Sequence, residues 1–148
     1  MKKNFFIKTF IIYLFLISNV MAVQSNYFEE GIKLYQKRKF DESKFLFEKD
    51  IVFNPKNEKS YLYLAKIFNK KKNDTEEEMN LKNVLLLNPK NDEAIYMLTL
   101  LRIKQSNYHE AKELIRKFNL VCNSFCSKSG EMQEKFEKLI PKDEKNKN

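Results

Sequence analysis

Apolar residues recur at helical spacing along most of the chain, in blocks that short polar turns separate. Tyr27 and Leu34 fall on one face of the first block, and Phe47 and Ile51 fall on one face of the second. Pro55 closes the second block, because the residue before a proline avoids the helical region. The same alternation then starts again, so the pattern predicts successive pairs of α-helices.

Polar residues at the start of several blocks predict helix caps. Asp41, Asn73 and Asn107 each precede an apolar helical pattern, and Asp and Asn are favoured N-cap residues. Glu76, Glu77 and Glu78 follow one of these caps. Carboxylates suit the positive end of a helix dipole, so this cluster indicates the first turn of a helix.

The chain contains an internal repeat. The string NPKN at residues 54–57 recurs at residues 88–91, an offset of 34 residues. The same offset links Tyr27 to Tyr61. A four-residue match with matching flanks predicts a repeat of two helices per period.

This repeat resembles the tetratricopeptide repeat (TPR) family, whose 34-residue unit is a helix-turn-helix. The first repeat matches the family pattern at Tyr27, Gly31, Leu34, Ser43, Phe47 and Pro55. The second matches it at Tyr61, Leu64, Ala65, Phe68, Leu81 and Pro89, and the third at Ile95, Leu98, Thr99, Ala111 and Ile115. The chain departs from the pattern at Glu30, Glu77, Arg102 and Asn123.

The resemblance implies an all-α fold, a right-handed α-solenoid of three TPR helix pairs with a C-terminal capping helix. The small residues Gly31, Ala65 and Thr99 are expected to let the helices of a pair approach closely. The expected boundaries are residues 24–57, 58–91 and 92–123 for the three repeats, residues 124–141 for the capping helix and residues 142–148 for a disordered tail.

Residues 1–22 have the three parts of a secretory signal peptide. Lys2 and Lys3 supply the charged start, residues 9–17 form a short apolar run, and Val20-Met21-Ala22 offers a cleavage site after Ala22. A retained membrane anchor is the alternative. The apolar stretch is shorter than the ~20 residues that a spanning helix needs. The sequence therefore predicts an exported, periplasmic protein with no stable membrane span once the signal is cleaved.

Charge and composition then narrow the function. The 148-residue chain has a formal net charge of +8, and removing the signal peptide with its three Lys leaves +5. The 25 Lys outnumber the 3 Arg, whereas proteins that read nucleic acids favour Arg. No basic stripe with interleaved aromatic residues is present, so no nucleic-acid partner is expected.

The candidate chemistry is sparse. His109 is the only histidine and has no evident nucleophile or orienting group, so the sequence predicts no enzyme and no cofactor. Two Cys and one His do not complete a tetrahedral metal site. In an exported chain, Cys122 and Cys126 are expected to form a disulfide, with a pair of reduced thiols as the alternative.

The TPR resemblance implies a protein-interaction module that binds a protein or peptide through a concave face formed by the first helix of each pair. The residues expected in that groove are Phe28, Ile32, Tyr35, Leu62, Lys66, Asn69, Tyr96, Leu100 and Ile103. The alternative is a structural subunit of a cell-envelope assembly, which an exposed apolar outer face would favour. Neither the partner nor the oligomeric state follows from the sequence.

Overall fold

The computed structural model describes residues 26–140, which form seven α-helices, one 3-10 turn and no strand. The helices are α1 (Tyr27–Gln36), α2 (Phe40–Phe53), α3 (Glu58–Lys70), α4 (Asp74–Leu87), α5 (Asp92–Lys104), α6 (Tyr108–Val121) and α7 (Ser129–Leu139), and the 3-10 turn is Cys126–Lys128. The predicted all-α class, helix pairs followed by a C-terminal helix, is confirmed. The predicted signal peptide and polar tail lie outside the described residues.

The helices belong to two compact units that divide after Phe53. The first unit contains the pair α1 and α2. The second unit contains the pairs α3–α4 and α5–α6, followed by the 3-10 turn and α7.

In the first unit, α1 and α2 meet at a glycine. Phe47 of α2 is fully buried, and a Cβ atom placed on Gly31 of α1 would lie 2.7 Å from Cε1 of its ring. The Ser43 hydroxyl donates a 2.8 Å hydrogen bond to the Gly31 carbonyl oxygen. A side chain at Gly31 would therefore force the two helices apart.

Replacing Gly31 with alanine is expected to destabilise the protein, because a buried ring that fills its site cannot yield at low cost. Gly130→Ala is the matched control, since Gly130 also lies in a helix but has no atom within 4 Å of the added Cβ. Both changes raise helix propensity, so the difference between them isolates the steric clash. We expect Gly31→Ala to be less stable than Gly130→Ala by about 1–3 kcal/mol in urea denaturation. Equal stabilities would contradict this packing.

Asparagine residues begin most helices of the second unit. The side-chain oxygens of Asn57, Asn73, Asn91 and Asn107 each accept a backbone N–H from the first turn at 2.9 to 3.3 Å. The expected caps at Asn73 and Asn107 are therefore present. The expected cap at Asp41 is wrong, because α2 begins one residue earlier, at Phe40, and Asp41 lies within its first turn.

The 34-residue period also governs the backbone of the turns. Arg38, Lys72 and Ser106 all have φ between 56° and 58°, the left-handed region that favours glycine. Each of them follows the first helix of a pair, at equivalent positions in the three repeats. The repeat is therefore present in the backbone conformation as well as in the amino-acid sequence.

The second unit is built around one hydrophobic core to which all five of its α-helices contribute. Ala65 belongs to α3, Val84 to α4, Leu98 to α5, Phe118 to α6 and Met132 to α7, and all five side chains are buried in this core. The C-terminal helix is therefore an integral part of the second unit. Within residues 26–140, no helix combines the length and apolar character needed to cross a membrane.

Candidate binding surface

The first helices of the two pairs in the second unit are joined by an ion pair. Lys66 of α3 lies 2.8 Å from the Glu93 carboxylate of α5, and both side chains are partly buried. The Lys66 ammonium also lies 4.9 Å from the centre of the Tyr63 ring. This places a cation, a carboxylate and an aromatic ring together on the first helices.

Asn69 lies one turn after Lys66 on α3. Its amide donates hydrogen bonds of 3.0 and 3.1 Å to the two carboxylate oxygens of Glu77 on α4. Burial raises the pKa of Glu77, and the hydrogen bond from Asn69 opposes that rise. Asn69 therefore supports a buried carboxylate at the position where the TPR pattern has a small residue.

Tyr96 of α5 contacts the C-terminal part of the unit. Its hydroxyl donates a 3.0 Å hydrogen bond to Glu131 of α7, and its ring centre lies 5.9 Å from that of Phe125. Burial raises the pKa of the Tyr96 hydroxyl, and the Glu131 carboxylate raises it further. Hydrogen bonds from Lys128 and Lys135 hold the pKa of Glu131 at about 2.

Leu100, one turn after Tyr96, is half-buried and packs against the edge of the core. Lys66, Asn69, Tyr96 and Leu100 are the predicted groove residues of this unit whose side chains stay partly accessible, and we call them the first-helix surface. Helical spacing places Lys66 and Asn69 on one face of α3, and Tyr96 and Leu100 on one face of α5. The ion pair between Lys66 and Glu93 joins these two faces.

Two predicted groove residues of this unit require correction. Leu62 is only 8% exposed and Ile103 only 4% exposed, and both belong to the hydrophobic core. Their apolar side chains are removed from water by packing within the unit, so they are not available to a partner. The TPR resemblance that implied them did not distinguish the edge of a core from a groove.

The three predicted groove residues of the first unit, Phe28, Ile32 and Tyr35, are half-buried on α1. The Phe28 ring centre lies 5.8 Å from that of Phe47, and the Tyr35 ring packs edge-on against Phe40 at 5.4 Å. Phe28 and Tyr35 therefore help to hold α1 against α2. Only the solvent-accessible part of each side chain is available for contact with a partner.

Asp92, at the start of α5, holds the segment that carries the two cysteines. One carboxylate oxygen accepts backbone N–H groups from Asn123 and Phe125, both at 2.8 Å. Burial works against the charge on Asp92, but these backbone hydrogen bonds outweigh it and lower the pKa. Asp92 thus fixes the loop at the place where the third repeat lacks its closing proline.

The sulfur atoms of Cys122 and Cys126 lie at disulfide distance, 2.14 Å apart, with Cα atoms separated by 5.2 Å. Phe125, which touches Tyr96, sits between them in the sequence. The disulfide segment therefore adjoins one end of the first-helix surface.

Alkylation without reductant is expected to leave both cysteines unmodified in protein isolated from its host. Cys126 is exposed, so a reduced thiol there would react readily. Intact mass before and after reduction measures the outcome, and adding reductant should make two thiols available. Protein that takes up alkylating agent before reduction would contradict the disulfide.

Arg102 forms a second polar cluster within this unit. Its guanidinium makes two hydrogen bonds to Glu78 of α4, at 2.6 and 2.8 Å, and one of 2.6 Å to Glu110 of α6. Hydrogen bonds from Arg102 and Lys82 lower the pKa of Glu78 to about 2. Arg102 occupies a position where the TPR pattern has an aromatic residue. Its ion pairs with Glu78 and Glu110 connect α5 to α4 and α6.

In residues 26–140, no cluster of three or more His, Cys, Asp or Glu side chains is arranged to hold a metal ion. His109 is exposed near the start of α6. Each polar side chain of the first-helix surface binds a carboxylate outside that surface: Lys66 pairs with Glu93, Asn69 with Glu77 and Tyr96 with Glu131.

The residues that sequence reasoning missed are the partners in these long-range contacts, Glu93, Asp92 and Glu131. Each contact joins residues 27 to 35 positions apart. The 34-residue period was the one signal that would have brought such residues together, since equivalent positions of neighbouring repeats are adjacent in a repeat protein.

No protein-family model matches the sequence, and no curated protein is significantly similar to it. Solved structures do match: the TPR domain of OM64 from Arabidopsis has a TM-score of 0.72 and 18% identity, over 81% of this chain and 98% of that one. The first TPR domain of Spaghetti (RPAP3), solved with the HSP90 peptide SRMEEVD, has a TM-score of 0.68 and 18% identity over 76% and 90% of the two chains. The Sgt2 TPR domain from Aspergillus fumigatus has a TM-score of 0.65 and 15% identity over 80% and 82%. The chain therefore has the TPR fold.

Proposed function

We propose that the protein is an exported, non-catalytic interaction module that binds a protein or peptide through its first helices. The observation that carries this proposal is the first-helix surface of the second unit. There Leu100 offers an apolar contact, Tyr96 an aromatic one and Lys66 a cation, all partly accessible. Interfaces typically combine such apolar and aromatic anchors with a polar rim.

The known complexes of similar folds support this use. The Spaghetti domain was solved with a peptide, and the CopN-Scc3 complex has a TM-score of 0.63 and 14% identity over 79% of this chain and 69% of that one. Lys66 already pairs with Glu93 at 2.8 Å, so a ligand carboxylate would exchange for an existing one at that position. A partner with an acidic side chain beside an apolar anchor fits this surface.

Capture of a crosslinked partner by the exported protein, followed by variants, tests the binding site. Tyr96→Ala and Lys66→Ala are expected to weaken capture of that partner while leaving the fold intact, because both side chains are partly exposed. Leu139→Ala serves as the matched control, because Leu139 is an exposed apolar residue on α7. Unchanged capture by both Tyr96→Ala and Lys66→Ala would reject this surface.

Export is proposed on the charged start, the short apolar run and the Val20-Met21-Ala22 site. The predicted mature protein begins at Val23 and is periplasmic. N-terminal sequencing of protein recovered after cell fractionation tests both points. An intact Met1 on protein found in the cytoplasm would contradict them.

A structural subunit of a cell-envelope assembly remains the second candidate. It is favoured by the exposed apolar side chains on α2 of the first unit, Phe45, Val52 and Phe53, of which Val52 is 75% exposed. A permanent interface would cover such residues. Size measurement of the envelope-extracted protein distinguishes the two, since a structural subunit would remain in a large complex through purification.

A further inference from the structure

A single carboxylate holds the backbone of residues 122–126, the disulfide segment. Asp92 accepts the backbone N–H groups of Asn123 and Phe125, both at 2.8 Å, on one of its oxygens. The Ser124 hydroxyl donates a 3.3 Å hydrogen bond to the other oxygen. Asp92 is only 7% exposed, and a buried carboxylate depends on such hydrogen bonds to keep its charge. The disulfide segment is therefore tied to the start of α5.

The disulfide segment brings Phe125 to the first-helix surface. The ring centre of Phe125 lies 5.9 Å from that of Tyr96, and the Phe125 side chain is partly buried against the hydrophobic core. Both backbone groups of Phe125 are bonded, because its N–H donates to Asp92 and its carbonyl oxygen accepts the N–H of Lys128 at 2.8 Å. Phe125 therefore adds a second aromatic side chain beside Tyr96.

The helices on either side of the disulfide segment are anchored by other contacts. Phe118 of α6 and Met132 of α7 are buried in the core of the second unit. The Ser129 hydroxyl at the start of α7 also donates a 2.7 Å hydrogen bond to the side chain of Asn119 on α6. None of these contacts involves a cysteine. Loss of the disulfide is therefore expected to open the segment locally and to leave the helices in place.

We propose that oxidation of Cys122 and Cys126 completes the binding surface by fixing Phe125 beside Tyr96, so that partner binding depends on the disulfide. Closing so short a ring disfavours open conformations of the segment about thirtyfold through loop-closure entropy. The reduced segment leaves Asp92 more often, and Phe125 then leaves Tyr96 with it. This inference rests on the proposed use of the first-helix surface and adds a form of regulation to it.

The disulfide forms by exchange with an oxidising disulfide of the kind that exported proteins meet. Cys126 is exposed, so its thiolate attacks a sulfur of that disulfide and displaces a first thiol. The Cys122 thiolate then attacks the Cys126 sulfur and displaces the second thiol. The two cysteines lose two electrons and two protons, and the oxidant gains them as its two thiols. Export would thus complete the binding surface only after the chain has left the reducing cytoplasm.

Amide hydrogen exchange, measured by NMR on the purified mature protein without a partner, tests the first part of this proposal. The disulfide form is compared with protein reduced by a dithiol and with Cys122→Ser/Cys126→Ser. We expect the N–H groups of Asn123 and Phe125 to exchange at least about tenfold faster in both forms that lack the disulfide. The Glu76 N–H, which also bonds to a side-chain oxygen, is the control and should not change. Equal exchange of the two segment amides with and without the disulfide would overturn the proposal.

Photo-crosslinking in the native host tests the regulation, with a photoreactive amino acid at position 100 as the probe of partner contact. We expect Cys122→Ser/Cys126→Ser to reduce the protein adduct several-fold, because affinity falls with the fraction of protein in the competent state. Phe125→Ala should reduce it with the disulfide intact, and Leu139→Ala, an exposed position on α7, should not. An adduct that neither the cysteine nor the phenylalanine variant reduces would overturn the regulation alone. Absence of the adduct from the wild type would instead contradict the proposed function, and the regulation that rests on it.

Discussion

Leu98→Ala is expected to lower the free energy of unfolding by about 2–5 kcal/mol, because Leu98 is buried in the core of the second unit. Leu100→Ala is expected to cost clearly less, since Leu100 is half-buried at the edge of the core and part of its side chain remains in water. Both changes remove the same atoms from the same helix, two residues apart. The difference between them therefore measures burial, and urea denaturation of the two variants provides it.

The comparison also bears on the proposed binding site. A Leu100→Ala variant that stays folded while losing its partner would assign Leu100 to the binding surface. If Leu100→Ala destabilises the protein as severely as Leu98→Ala, Leu100 is a core residue. Leu100 would then be excluded from the first-helix surface, as the buried residues Leu62 and Ile103 are.

Arg102→Ala is expected to destabilise the protein by about 2–3 kcal/mol. The Arg102 side chain is buried, and its removal leaves the Glu78 and Glu110 carboxylates without their shared cation. Losing one member of a fully buried pair costs about 3–5 kcal/mol, and the smaller value follows because both carboxylates retain contact with water. Thermal or urea unfolding at neutral pH measures this change.

Arg116→Ala is the matched control, because Arg116 pairs with Glu113 on the exposed surface of α6. Its expected cost is below about 1 kcal/mol. Equal effects of the two arginine variants would contradict the structural role of Arg102.

The effect of Arg102 should also depend on pH. Arg102 helps to hold the pKa of Glu78 at about 2, below its value of 4.5 in the unfolded chain. This stabilisation is present above pH 4.5 and is lost as the pH falls toward 2. The stability gap between wild type and Arg102→Ala should accordingly narrow over that range, and a gap that stays constant would assign the effect to packing instead.

The helix pairs could be predicted from the sequence because two independent signals agreed. Apolar spacing indicated the helices, and the recurrence of Asn54–Asn57 at Asn88–Asn91 indicated their grouping. Gly31 was predicted to allow close approach, and the short distance from its added Cβ to Phe47 confirms this. Patterns in the sequence were enough to predict the structure where the contacts that determine it lie within one helix pair.

The binding surface was less predictable, because it depends on contacts between pairs. Tyr96 could be placed on a helical face, but its hydrogen bond to Glu131 crosses from α5 to α7. Leu62 and Leu100 are both leucines of a first helix that were expected in the groove, yet Leu62 is buried in the core and Leu100 is half-buried. Periodicity identifies a face of a helix, and only packing decides how much of that face reaches solvent.

Site-specific photo-crosslinking in the native host tests the central claim most directly, that the first-helix surface binds a protein partner. A photoreactive amino acid is placed at Leu100 in one variant and at Leu139 in another, and the adducts are separated by mass. We predict one dominant protein adduct from position 100 and none of the same species from position 139. An equal adduct from both positions, or none from position 100 while the variant is folded and exported, would contradict the claim.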